Sequence, residues 1–166
     1  LDYILMESPA APLKKALLES RLGKDVFGSY NNHLRQPFFS IIVKNSESKR
    51  KTEFSDLLYS TLEKIMKNGI DKKLIEAAIN IIEFHLREAD FGSYPKGLVY
   101  CMEVMNSWNY NGNPIQALEY ETPLKKIKSA LTTNYFEKLI DKYLMNNAHR
   151  NLLVLSPEKN LPEKNL

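Results

Sequence analysis

Glu83-Phe84-His85-Leu86-Arg87-Glu88-Ala89-Asp90-Phe91-Gly92-Ser93-Tyr94-Pro95-Lys96-Gly97-Leu98 is the stretch that decides how this chain is read. A charged, amphipathic helix end runs into Gly92-Ser93, and a new helix restarts behind Pro95. Gly92 suits the left-handed position that closes a helix, because it carries no Cβ to clash. Ser93 can cap the following helix, and Pro95 in its first turn loses no needed N–H. Glu83 and Arg87 stand one helical turn apart and can pair on the surface, worth about 0.2–0.5 kcal/mol. These local rules give a helix–break–helix and require no function.

Working outward, the pattern predicts mostly helix with a few strands. Residues 1–8 and 12–21 read as helical, broken around Pro9 and Pro12. Residues 26–33 and 38–45 read as extended, and Phe39-Ser40-Ile41-Ile42-Val43 is apolar enough for a largely covered strand. Phe54, Leu57, Leu58, Leu62, Ile65 and Met66 form a helical stripe that Asn68-Gly69 ends. Asp71 can cap the longest helix, whose Leu74, Ala78, Ile81, Ile82 and Leu86 are expected to face inward. A helix over 95–108 closes at Asn111-Gly112. Two more follow, over 114–131 with a kink near Pro123 and over 133–146. Residues 151–155 read as a last strand that returns to the first sheet. The expectation is an α+β fold, an antiparallel or mixed sheet of few strands packed against a block of helices.

Composition sets outer bounds. The chain has 166 residues, the size of one domain, and 23 basic against 20 acidic residues give a net charge of +3. Acidic residues are interspersed throughout, so the mild excess does not call for nucleic acid. No apolar run reaches membrane-spanning length and no secretory leader is visible. The single Cys101 excludes an internal disulfide framework, and its apolar neighbours suggest a buried thiol. The first residue is Leu1 rather than Met, inside an expected helix, which reads as a piece of a longer protein. Pro157-Glu158-Lys159-Asn160-Leu161 recurs at once as Pro162-Glu163-Lys164-Asn165-Leu166, read as a polar linker over 157–166 behind a domain over 1–156.

The opening stretch resembles the E-F-x-L-R-E … G-S-aromatic-P-basic-G-L segment of presequence-protease-type metallopeptidases, a branch of the insulinase/pitrilysin family. Other segments resemble the family in the expected order. Ser8-Pro9-Ala10-Ala11-Pro12-Leu13 through Leu17 is similar to its small-small-Pro-Leu helix, with Gly23 and Gly28-Ser29-Tyr30 behind it. Gln36-Pro37-Phe38-Phe39-Ser40-Ile41 is similar to a family strand. Asn109 to Pro114, Leu118 to Glu121, and Asn147-Ala148-His149-Arg150 through Pro157 follow the signature helix as they do there. The resemblance implies a LuxS/processing-peptidase-like metallopeptidase domain, partial at its N-terminus: most of the second, non-catalytic domain of a zinc metalloendopeptidase that degrades unfolded peptides. It would form part of the wall of a peptide-enclosing chamber. Its implied partners are the other domains of the same polypeptide and the unfolded peptide, with no nucleic acid or membrane. Self-association of the isolated piece through an uncovered sheet edge is also expected. Glu83, Arg87, Glu88, Gly92, Pro95 and Gly97 carry the signature in a structural role. The implied compartment is cytoplasmic, or organellar in a eukaryote.

The residues themselves offer no catalytic set. Zinc hydrolysis needs three ligands and a base close together. The family's inverted motif is His-x-x-Glu-His with a downstream Glu. His85-Leu86-Arg87-Glu88 starts like it, but Ala89 stands where the second His belongs, and Arg87 is a poor neighbour for a cation. His33 and His149 each lie within two positions of an Arg and read as surface or hydrogen-bonding residues. No nucleophile elbow, phosphate loop or signature around Cys101 is present. Glu119 and Glu121, and the runs Lys49-Arg50-Lys51 and Lys125-Lys126, read as solvated charges. The aromatics beside Lys96 and Lys138 (Tyr94, Tyr135) read as core. The expected assignment is therefore no catalytic residue, no metal ligand and no cofactor in this segment, with zinc held by the parent's catalytic domain. Two other readings stand beside it: a stand-alone helical module binding protein or nucleic acid, and an inactive processing-peptidase-like subunit.

Overall fold

The computed structural model describes residues 1–157. A π-helical turn, Tyr3–Glu7, leads into α1 (Pro12–Glu19), and β1 (Asp25–Asn31) pairs antiparallel with β2 (Phe38–Lys44). Then come α2 (Lys51–Asn68), α3 (Lys72–Glu88), α4 (Lys96–Trp108), a 3-10 turn at Pro114–Leu118, α5 (Glu121–Ser129) and α6 (Tyr135–Ile140), which runs on as a π-helical turn to Met145. The described residues thus form an α+β fold with one two-stranded sheet.

Two apolar clusters hold it together. In the first, Leu5 and Met6 of the N-terminal turn meet Leu13 and Leu17 of α1, Leu22, Val26 of β1, Leu62 and Ile65 of α2, and Ile140 of α6. In the second, Ile4 joins Ile75, Ala78 and Ile79 of α3 with Leu124 of α5 and Phe136 of α6. The N-terminal turn therefore bridges both. Glu137 on α6 also accepts the Ile70 N–H at 2.9 Å, fixing the short link between α2 and α3.

Several local expectations are met. Asp71 caps α3 by accepting the Lys73 N–H at 2.9 Å. Asn111 has φ 61°, and the Gly112 N–H returns to Ser107 O to close the turn after α4. Other expectations are corrected. Residues 151–155 form no strand: an extended run becomes a strand only when it pairs with an edge, and this run pairs with neither edge of the sheet, leaving Leu153 and Leu155 77% and 86% exposed. The β2 run is half-covered rather than covered, because a single two-stranded sheet has one packed face. Phe39, Ile41 and Val43 meet the first cluster while Phe38 and Ile42 face outward.

On α3 the buried residues are Ile75, Ala78 and Ile79, whereas Ile81, Ile82 and Leu86 are exposed. The helix packs on the N-terminal turn, α5 and the Ala130–Thr132 turn, which leave its later turns bare. The expected helix over 114–131 is broken at Glu119 and Tyr120. Pro123 then lies in the first turn of α5, where a missing N–H is harmless, so it causes no kink. The Glu158–Leu166 part of the expected linker lies outside the described residues.

Candidate functional site

The signature residues occupy the last turn of α3, the connection behind it and the start of α4. Glu83 is the best anchored. Arg87 donates to its Oε1 from Nε at 3.0 Å and from the guanidinium end at 2.8 Å, as the one-turn spacing requires. Lys128 of α5 donates to its Oε2, so Glu83 ties α3 to α5. That second partner lies 45 positions away, and no local pattern announces it. The hydrogen bonds from Lys128 and then Arg87 hold the Glu83 carboxyl below the usual carboxylate range.

A depressed carboxylate stabilises the fold above its unfolded value of about 4.3 and loses that contribution as pH falls through the lower folded value. Glu83→Gln should therefore be less stable than the parent chain at neutral pH, with the gap closing below about pH 4. Urea midpoints across an acid series test this, and a gap independent of pH would contradict it.

Gly92 takes positive φ (61°), as its residue type suggests, but it does not close α3. Ala89 does, in the left-handed region (φ 47°, ψ 42°), with its N–H on His85 O. Gly92 instead sits in an Asp90-led turn, its N–H on Asp90 Oδ1 at 3.0 Å. Ser93 caps nothing. Pro95 itself stands at the cap position of α4, one place earlier than expected, and no side chain caps that helix. The end of α3 is tied down from α4, where Lys96 Nζ donates to Glu88 O at 3.2 Å. Glu88 and Gly97 are exposed, and a Cβ at Gly97 would meet nothing within 4 Å.

His85 is exposed beside the Phe84 ring. Among the described residues no three His, Cys, Asp or Glu side chains gather closely enough to hold a metal ion. The donor set present therefore does not fit the zinc that the resemblance implies for the parent. His33 Nδ1 lies 2.9 Å from Asn106 Oδ1, joining the end of β1 to α4. Arg50 is bound in an ion pair with Glu53 and donates to Arg21 O, and Lys49 pairs with Glu47, so that basic run is largely neutralised.

Two further expectations are corrected. Cys101 is exposed rather than buried, and Tyr94 and Tyr135 are exposed rather than core. Among the described residues none covers the faces on which these side chains lie. No described helix is long and apolar enough to cross a membrane.

Residues 1–82 match the family profile described as the peptidase M16 inactive domain. Protein HypA of Clostridium perfringens is 53% identical over 164 residues, 99% of this chain and 17% of its own length. Presequence protease 1, chloroplastic/mitochondrial, of Arabidopsis thaliana is 36% identical over 169 residues, 99% of this chain and 15% of its own. The mitochondrial presequence protease of Mus musculus is 27% identical over 168 residues, again 99% of this chain and 16% of its own. The chain spans less than a fifth of the length of these relatives. Over residues 1–82 this chain matches the peptidase M16 inactive domain, and over nearly its whole length it is similar to presequence proteases.

Proposed function

We propose that this chain is a non-catalytic domain of a zinc-dependent metalloendopeptidase that degrades unfolded peptides, and that it forms part of the wall of the chamber enclosing them. The observation that carries this reading is the similarity over 99% of the chain to a presequence protease, joined to the inactive-domain match. The side chains support it. His85 and Glu88 lie on an exposed turn with no second histidine, Arg87 is engaged by Glu83 within α3, and Glu83 holds α3 to Lys128 of α5.

The domain would occupy residues 1–156, with a linker behind it. Its work would be packing and size exclusion: bracing the domain that carries zinc and limiting entry to peptides without stable structure. Zinc and the attacking water would belong to another part of the same polypeptide. Glu83, Arg87, Glu88, Gly92, Pro95 and Gly97 would act structurally, by setting the angle at which α4 leaves α3. The compartment would be the cytoplasm, or an organelle in a eukaryote.

An unfolded peptide incubated with residues 1–166 alone should stay uncut, and the dialysed chain should hold no stoichiometric zinc. Mass spectrometry of the peptide and elemental analysis of the protein read both. Tight zinc that is lost on His85→Ala, accompanied by cleavage, would overturn the reading.

A further inference from the structure

The α4 helix turns most of its apolar side outward. At 100° per residue, Tyr100, Trp108, Cys101, Met105, Leu98 and Met102 sweep an apolar arc of about 200°. All six are exposed, Trp108 to 60% and Leu98 and Met102 to 50% each. The opposite, mainly polar side is the one turned to the chain. Glu103, Asn106 and Ser107 are half-buried there together with Val99, and within the arc Val104 is half-buried as well. Asn106 contacts His33 and donates to Glu103, and Ser107 Oγ donates to Asn113 O at 2.8 Å. No residue of α4 is buried, and its main neighbour is the Pro114–Leu118 turn. A helix with such a face normally lies against a core or a partner, and aromatic and Met side chains are what protein interfaces concentrate.

We propose that this arc is a docking surface for a further segment of the same polypeptide, one that presents an apolar helix or sheet face. The proposal rests on the reading of this chain as one domain of a longer peptidase. Two observations favour an occupant in cis over a second copy of the chain. One is the length of the relatives, since more than four-fifths of each lies outside the stretch this chain matches. The other is the width of the arc. A single helix-on-helix contact covers a stripe of roughly 100°, so an arc about twice as wide calls for a segment long enough to lay more than one element against it. The α3 helix points the same way: its core stripe continues past Ile75 and Ile79 to Ile82 and Leu86, which are exposed among the described residues.

Cys101 lies on the arc and is the only cysteine in the chain, which makes it a reporter of cover. In the native full-length polypeptide its reaction with a maleimide, followed on the peptide that contains it, should be at least about tenfold slower than in guanidinium. The protection should survive dilution to the monomer, and Met102→Asp should weaken it. Equal rates in the native and denatured protein would overturn the proposal. So would protection that vanishes on dilution, which would assign the surface to a second copy, and so would an open reading frame ending with this chain. Equal rates in a polypeptide that binds zinc and cuts peptides would leave the non-catalytic reading intact, so the two failures are distinguishable.

Discussion

Leu17→Ala should destabilise the fold by about 2–5 kcal/mol, as truncation of a fully buried leucine does. Leu17 is fully buried on α1, in the cluster that joins the N-terminal turn, β1, α2 and α6. Removing its branched end takes away apolar burial and leaves a cavity lined by side chains from several elements, which cannot all move inward together. Leu18, the next residue, is 41% exposed and supplies the control. Leu18→Ala should change stability by no more than about 0.5 kcal/mol, as surface substitutions usually do. Urea unfolding followed by far-UV circular dichroism compares the two. Similar midpoints would mean that α1 does not hold the core together.

Gly23→Ala should cost roughly 1–3 kcal/mol although it adds only one methyl group. A Cβ at Gly23 would stand 2.4 Å from Lys44 O and 2.4 Å from Val43 Cγ1. The backbone oxygen is the harder obstacle, because it also accepts the Lys24 N–H at 2.9 Å. Relief of the clash must push the end of β2 outward, stretching that hydrogen bond and lifting Val43 from the first cluster. Gly97→Ala is the counterpart, since a Cβ there meets nothing within 4 Å and alanine suits the first turn of α4. Thermal unfolding of both variants should separate them clearly. A Gly23→Ala protein as stable as its parent would show that β2 can shift at no cost.

What the sequence made legible was what neighbours along the chain decide. The Asp71 cap, the Glu83–Arg87 pair and the Asn111-Gly112 turn each depend on residues within a few positions of one another. The position of β2 was also legible, because an apolar run bounded by polar turns has few other uses, and β1 was placed to within two residues. What could not be read was cover. Periodicity shows that Ile82 and Leu86 share a face with Ile75 and Ile79, but not that α5 and the N-terminal turn stop short of them. The same gap explains why Cys101 and Tyr94 emerged exposed. Nor does apolar character alone bring a run to an edge: residues 151–155 pair with neither side of the two-stranded sheet.

The helix end was misjudged differently. Gly92 has the positive φ that its lack of a side chain favours, yet Ala89 took the left-handed position first. The family was legible in ordered motifs spread along the chain. The Lys128 contact to Glu83 was not, since it depends on how α5 lies across α3.

Metal content of the full-length polypeptide tests the central claim most directly. With His33, His85 and His149 all changed to Ala, the purified protein should still hold about one zinc per chain, bound by ligands outside this segment. Its peptide-cleaving activity should persist with it. Loss of zinc from that variant while its fold remains intact would place the metal within residues 1–166 and contradict the account.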